Sequence, residues 1–182
     1  MDKRTAIIAS AERIFEAEGF RGIGIDRIIA PSGVSTRTLY KHFGSRDGLV
    51  IAVLEARHLA FMAQLAGEAL PADPIGSLFD TLRRWVEVHG ARGCLLLRAY
   101  HEYAEANEAI VLLVQRQKVA FQAEVTRRVQ AALGRDEAEL ASQVWLLLEG
   151  ATAAASVSRA SVINDAKGAA LVLLGGVRAR RL

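Results

Sequence analysis

Residues 26–44 read Asp-Arg-Ile-Ile-Ala-Pro-Ser-Gly-Val-Ser-Thr-Arg-Thr-Leu-Tyr-Lys-His-Phe-Gly, and their order describes a helix-turn-helix. Ile25, Ile28 and Ile29 repeat at helical spacing before the turn. Gly33 can take a positive φ without steric cost, as a tight interhelical turn requires. Ser35 restarts the helix as an N-cap, its hydroxyl accepting from an orphan backbone N–H of the next turn. At about 100° per residue, Leu39 and Phe43 then share an inward face, Arg37 and Lys41 point the opposite way, and Thr38 and Tyr40 lie on the flanks. Guanidinium, ammonium, hydroxyl and phenol groups on one exposed helix face suit major-groove base edges and the phosphates beside them.

Working outward, Gly19-Phe20, Ile25-Asp26-Arg27-Ile28, Gly33-Val34-Ser35, Leu39-Tyr40, His42-Phe43 and Leu49 together resemble the amino-terminal DNA-binding domain of the tetracycline-repressor (TetR) family. The match is close over roughly the first quarter of the chain and rests on helix layout beyond it. The resemblance implies base reading by Thr36, Arg37 and Thr38 and phosphate contacts from Tyr40 and His42. Helix geometry adds Lys41. Arg46 takes the place of a family lysine and is expected at a phosphate, and Lys3, Arg4 and Thr5 are possible phosphate contacts at the chain's start. The chain departs from the family at Ile23 and Gly24, where threonine or serine is usual, at Ile29 and Ser32, where alanine is usual, and at Pro31. Gly24 lends no side-chain oxygen to the second helix, and Pro31 withholds a backbone donor and crowds the Arg27 carbonyl.

Composition sets the frame for this motif. The 182 residues are 52% hydrophobic, enough to bury a sizeable core, and with only three prolines the usage favours helices over a sandwich or barrel. An all-α fold of about nine helices is expected. The net charge of +3 is modest, yet Arg21, Arg27, Arg37, Lys41 and Arg46 are opposed only by Asp26 within their window. That concentration fits a docked duplex better than general coating by charge. The single Cys94 cannot form an internal disulfide and reads as a small buried hydrophobe, compatible with a reducing cytoplasm. The opening residues lack a long apolar run and 169–174 is too short to cross a bilayer, so no export or membrane segment is expected.

The expected helices are 3–18, closed by Gly19; 25–32; the reading helix from Ser35; about 47–67; a fifth capped by Asp73 and Pro74 and closed by Gly90 and Gly93; 94–106; 108–133, capped by Asn107; an eighth opened by an Asp136/Glu139 capping box and reaching about 158; and a ninth over about 164–174, ended by Gly175 and Gly176. The domains expected are 1–48 for DNA binding, with the fourth helix as connector, and 71–182 for ligand binding and dimerisation. Leu70-Pro71-Ala72-Asp73-Pro74 marks the boundary between them. Gly150, Ala151, Ala153, Ala154 and Ala155 allow another helix to approach the eighth closely.

Trp85, His89, Arg98, Tyr100, His101, Tyr103, Arg116, Trp145 and Glu149 place polar or aromatic groups on helices five to eight, where plain core is otherwise expected. In the family this region encloses a cavity for an inducing small molecule, so these nine are the candidate effector contacts. His101 and Glu105 lie one turn apart, but the second histidine of a zinc motif is missing, and no metal or cofactor is expected. Phosphate loops, dinucleotide glycine patterns and nucleophile elbows are also missing, so the reading is not an enzyme. One reading helix contacts few base pairs, so specificity calls for a two-fold dimer on a pseudo-palindromic operator. By resemblance that homodimer forms through helices eight and nine, binds double-stranded DNA in the cytoplasm as a repressor, and is released by a small-molecule effector. The alternative is an architectural DNA-binding dimer with no effector, its binding dependent on salt and little on sequence.

Overall fold

The computed structural model describes residues 2–67 and 72–180 and is helical throughout: α1 Lys3–Glu18, α2 Ile25–Ile29, a 3-10 turn Ala30–Ser32, α3 Thr36–Phe43, α4 Arg46–Ala66, α5 Gly76–His89, α6 Leu95–Tyr103, α7 Glu108–Leu133, α8 Ala138–Val157 and α9 Val162–Ala179. These elements form two compact units. The first holds the chain up to Ala60 with Leu95–Gln117; the second holds Phe61–Cys94 with the chain from Lys118 onward. Both α4 and α7 contribute residues to each.

In the first unit, Ile7, Ala11, Ile14 and Phe15 of α1 meet Ile28 and Ile29 of α2, Leu39 of α3 and Leu49, Val53 and Leu54 of α4. Leu95, Ala99 and Tyr103 of α6 and Ile110 and Val114 of α7 complete this core. Phe15 lies 4.9 Å from Phe20, and Phe20 meets Tyr103 edge-on at 6.1 Å. The second helix is shorter than expected. Pro31 cannot supply the N–H that the Arg27 carbonyl would take, so the α-helix stops at Ile29 and a 3-10 turn carries the chain to Gly33, whose φ of 66° needs glycine. Ile29 is absorbed in the core, and the buried Ser10 hydroxyl donates to the Ile28 carbonyl at 2.9 Å, tying α1 to α2.

In the second unit, Leu78, Phe79 and Leu82 of α5 pack with Val125 and Val129 of α7, Leu140, Val144 and Leu148 of α8, and Ile163, Ala170 and Leu174 of α9. Arg128 is fully buried. Its guanidinium donates to Glu124 at 2.7 Å, to the Ser77 hydroxyl at 3.1 Å and to the Leu65 carbonyl, so the end of α4, the start of α5 and α7 share one cation. Lys167 of α9 pairs with Asp80 of α5 at 2.7 Å.

Several helix ends differ from the sequence expectation. The fifth helix opens at Gly76, two residues later, although Asp73 still accepts from the Gly76 N–H at 2.8 Å. A Cβ on Gly76 would come within 1.9 Å of the Asp73 carboxylate, which accounts for the glycine. The capping box at α8 does not form: Glu137 precedes the helix with no side-chain cap, it pairs instead with Arg135, and Glu139 accepts from Gln143. The ninth helix starts at Val162 and runs through Gly175 and Gly176 to Ala179. Packing of α9 against α8 outweighs the roughly 1 kcal/mol that each interior glycine costs. The sixth helix, Leu95–Tyr103, is shorter at both ends than expected. Leu70 and Pro71 of the expected boundary lie outside the described residues. By length and composition α4 and α8 could each cross a membrane; α4 also places residues in both cores and α8 in the second.

Candidate nucleic-acid interface

Local capping sets the bounds of α3. Ser35 sits in extended backbone (φ −82°, ψ 155°), and its hydroxyl accepts from the Thr38 N–H at 3.3 Å. Leu39 is fully buried and Phe43 packs on the same core, so the helix phase is locked by apolar burial. That phase exposes Arg37, Tyr40, Lys41 and His42, with Tyr40 45% exposed and Thr36 and Thr38 half-buried beside them. Among the described residues Arg37 and Lys41 make no hydrogen bond or ion pair. The two threonines are engaged locally: Thr36 donates to Asp26 at 3.0 Å, and the Thr38 and Ser35 hydroxyls share a bond of 3.0 Å.

The start of α1 lies against the end of this helix. Arg4 stacks its guanidinium 5.4 Å from the Phe43 ring centre, next to exposed His42. Asp2 caps α1 by accepting from the Thr5 N–H at 2.8 Å, and that bond chiefly holds its carboxyl below the usual range. Lys3, Arg4 and Thr5 are all exposed.

Arg46 corrects the sequence reading. Expected at a phosphate, it turns inward: it donates to the Tyr103 hydroxyl at 2.9 Å and to the carbonyls of Phe20 and Ile23. Its place at the first residue of α4 sends the side chain back over the preceding loop, which is where helix side chains lean. Burial pushes the Tyr103 phenol up from its ordinary value against the opposing charge of Arg46, so the hydroxyl stays neutral and accepts that bond.

The nine candidate effector residues are divided between the two units. Arg98, Tyr100, His101, Tyr103 and Arg116 belong to the first unit, where Arg98 and Tyr103 are occupied by structural bonds, Tyr100 packs on the core, and His101 and Arg116 are exposed. Trp85, His89, Trp145 and Glu149 belong to the second. There Trp85 stacks on His89 at 3.9 Å and meets Phe61 edge-on at 5.2 Å, and Phe61 meets Phe121 at 5.5 Å. Glu149 pairs with Lys118 at 2.6 Å, and one turn earlier on α8 the Trp145 indole N–H is buried without an acceptor. Sequence reasoning missed Phe61, Phe121 and Lys118. The phenylalanines sit on apolar stripes indistinguishable from core, and the lysine shows only when α7 and α8 are brought together.

The family described as bacterial regulatory proteins, tetR family, matches residues 7–53, from α1 into α4. Over nearly the whole chain, the fold is that of a TetR-family transcriptional regulator from Streptomyces coelicolor: the TM-score is 0.87 at 28% identity, covering 96% of this chain and 95% of that one. Residues 7–53 thus match the TetR family, and over nearly the whole chain the fold is similar to that of TetR-family regulators. Its helix-turn-helix is similar to that of TetR proteins. A TetR regulator from Chloroflexus aurantiacus shares the fold with a TM-score of 0.79 at 21% identity, over 95% of this chain and 94% of that one. Among curated relatives, the transcriptional regulator EthR of Mycolicibacterium smegmatis is 28% identical over 48% of this chain and 39% of its own length. The repressor NemR of Escherichia coli is 25% identical over 59% of this chain and 57% of its own length. The chain thus spans about half the length of these two. The departures at Ile29 and Pro31 fall within the matched TetR segment, and both are accommodated there, one by burial and one by the 3-10 turn.

Proposed function

We propose that this chain is a TetR-family DNA-binding transcriptional regulator that reads a pseudo-palindromic operator as a homodimer, represses by occupying it, and is released by a small-molecule effector. The observation that carries the reading is the outer face of α3, where Arg37 and Lys41 stand exposed and unpaired on a helix whose phase is fixed by buried Leu39. Thr36, Arg37 and Thr38 read base edges, with Arg37 suited to the O6 and N7 acceptors of guanine, while Tyr40, Lys41 and His42 contact phosphates.

Two further observations support the rest of the proposal. Leu146 and Val157 on α8 are 58% and 88% exposed and share a stripe with Gly150 and Ala153; Val172 on α9 is 74% exposed beside Gly168, Ala169, Gly175 and Gly176. Two adjacent stripes of small and apolar residues suit an isologous four-helix contact with a second copy. The aromatic set Phe61, Trp85 and Phe121, with the unmet indole donor of Trp145, supports an effector site in the second unit. Release requires the effector to bind the non-reading conformer better, and DNA then weakens effector binding by the same factor.

The test is selection from a randomised duplex library with purified protein at near-physiological salt. Enrichment of an inverted repeat is the expected outcome. Recovery of DNA without a shared motif would sink the reading in favour of an architectural binder.

A further inference from the structure

Helix α6 of the first unit grips a single short segment, the turn at residues 19–24 that joins α1 to α2. One carboxylate oxygen of Glu102 accepts from the backbone N–H groups of both Phe20 and Arg21, at 2.9 and 2.8 Å. Its other oxygen lies 3.3 Å from the Arg98 Nε, and the Arg98 guanidinium donates to the Glu16 carbonyl at 3.1 Å in the last turn of α1. From the opposite side, Arg46 holds the carbonyls of Phe20 and Ile23 while donating to the Tyr103 hydroxyl. Backbone donors and acceptors of the turn are therefore both held by charged side chains.

Beyond the buried Phe20 ring at its start, the turn's own backbone is little constrained. Gly22 takes a φ of 84°, and Gly24, the N-cap of α2, offers no side-chain cap, so the local sequence leaves the backbone unusually free. A carboxylate accepting two backbone N–H groups makes charge-assisted bonds, about twice as strong as neutral ones. The fit is close as well: a Cβ on Gly19 would come within 3.0 Å of the Glu102 carboxylate. The direction in which α2 leaves this turn sets where α3 lies, because α2 and α3 are joined only by the 3-10 turn and residues 33–35.

We propose that Glu102 is a positioning residue for DNA reading: by fixing the 19–24 turn it holds α2 and α3 in the one orientation that fits the groove. The proposal rests on the DNA-reading function above. Glu102 lies on α6 and outside the segment that matches the family, 82 residues from the Phe20 N–H that it holds. A displaced reading helix loses base-edge contacts, which demand geometry, before it loses phosphate attraction, which is tolerant.

The experiment compares the full-length wild type with Glu102→Ala and Glu102→Gln, using the inverted repeat enriched by the wild type and a scrambled duplex of equal length. Expected for Glu102→Ala is a fall of roughly tenfold in affinity for the repeat, with scrambled-duplex affinity within about twofold and an unchanged salt slope. Glu102→Gln keeps an acceptor oxygen but loses the charge, so a loss of about threefold is expected. An unchanged ratio of specific to scrambled binding overturns the proposal, and so does an equal loss on both duplexes, which marks general destabilisation. If Glu102→Ala fails to fold by circular dichroism, Glu102→Gln decides by the same ratio. A wild type that enriches no sequence overturns the DNA-reading function and the positioning role with it, whereas an enriching wild type matched by its variants overturns the positioning role alone.

Discussion

The two units place their cations in different settings. In the second, Arg128 is sealed among Glu124, Ser77 and the Leu65 carbonyl, and Lys118 and Lys167 are each paired with a carboxylate. In the first, Arg46, Arg57 and Arg98 are similarly spent on internal acceptors, but Arg37 and Lys41 on α3 are left unpaired at the surface. Cations with internal partners hold a fold together, whereas two unpaired cations in register on a short, apolar-anchored helix are left for an external anion. The contrast separates residues that matter for stability from those that matter for binding.

The strongest way to break that contrast is Arg128→Met. It leaves the Leu65 carbonyl and Ser77 hydroxyl without their donor, while Glu124 keeps Arg127. The cost should lie at the low end for a broken buried pair, about 3 kcal/mol, read as a lower urea midpoint. A change below about 1 kcal/mol would mean that the buried cation contributes little. Next in size, Arg37→Ala should weaken binding to the enriched repeat by roughly 1 to 3 kcal/mol and relax preference at one position, with the urea midpoint unmoved. A uniform loss on all sequences would instead place Arg37 on a phosphate.

The smallest expected signal comes with acid. Burial pushes the Glu124 carboxyl up, but hydrogen bonds and charge from Arg127 and Arg128 outweigh it and hold the group below its ordinary 4.5. A carboxyl lowered in the folded state contributes its stability in full at neutral pH and loses it as pH falls through the folded value. Urea midpoints taken from pH 7 to pH 3 should therefore fall, and fall less in Arg128→Met, where much of the lowering is already gone. Equal slopes would show that the coupling is too weak to matter.

How far the chain could be read from sequence depended on whether the deciding forces were local. The bounds of α1 and α7 and the start of α3 follow from caps within three residues: Asp2 to Thr5, Asn107 to Ala109 and Ile110, Ser35 to Thr38. The exposure of Arg37 and Lys41 follows from helix phase alone. Where packing between distant segments decided, the reading failed. The two glycines expected to stop α9 are carried through by its seat on α8, and the box expected at Asp136 and Glu139 yields to an ion pair between Arg135 and Glu137. Arg46 and Arg98 took external roles in the sequence reading because nothing local shows that carbonyls of residues 16–23 will surround them. Their acceptors lie 23 to 82 residues away.

The chain has just two tryptophans, Trp85 and Trp145, and both lie in the second unit, while α3 lies in the first. Tryptophan emission, excited selectively over tyrosine, is thus a reporter confined to one unit, with one indole stacked on a histidine and the other holding an unmet donor. A change in tryptophan emission on adding duplex DNA would not originate in a side chain of the reading helix, which has no tryptophan. It would be a direct optical sign that occupancy of the binding face reaches the second unit.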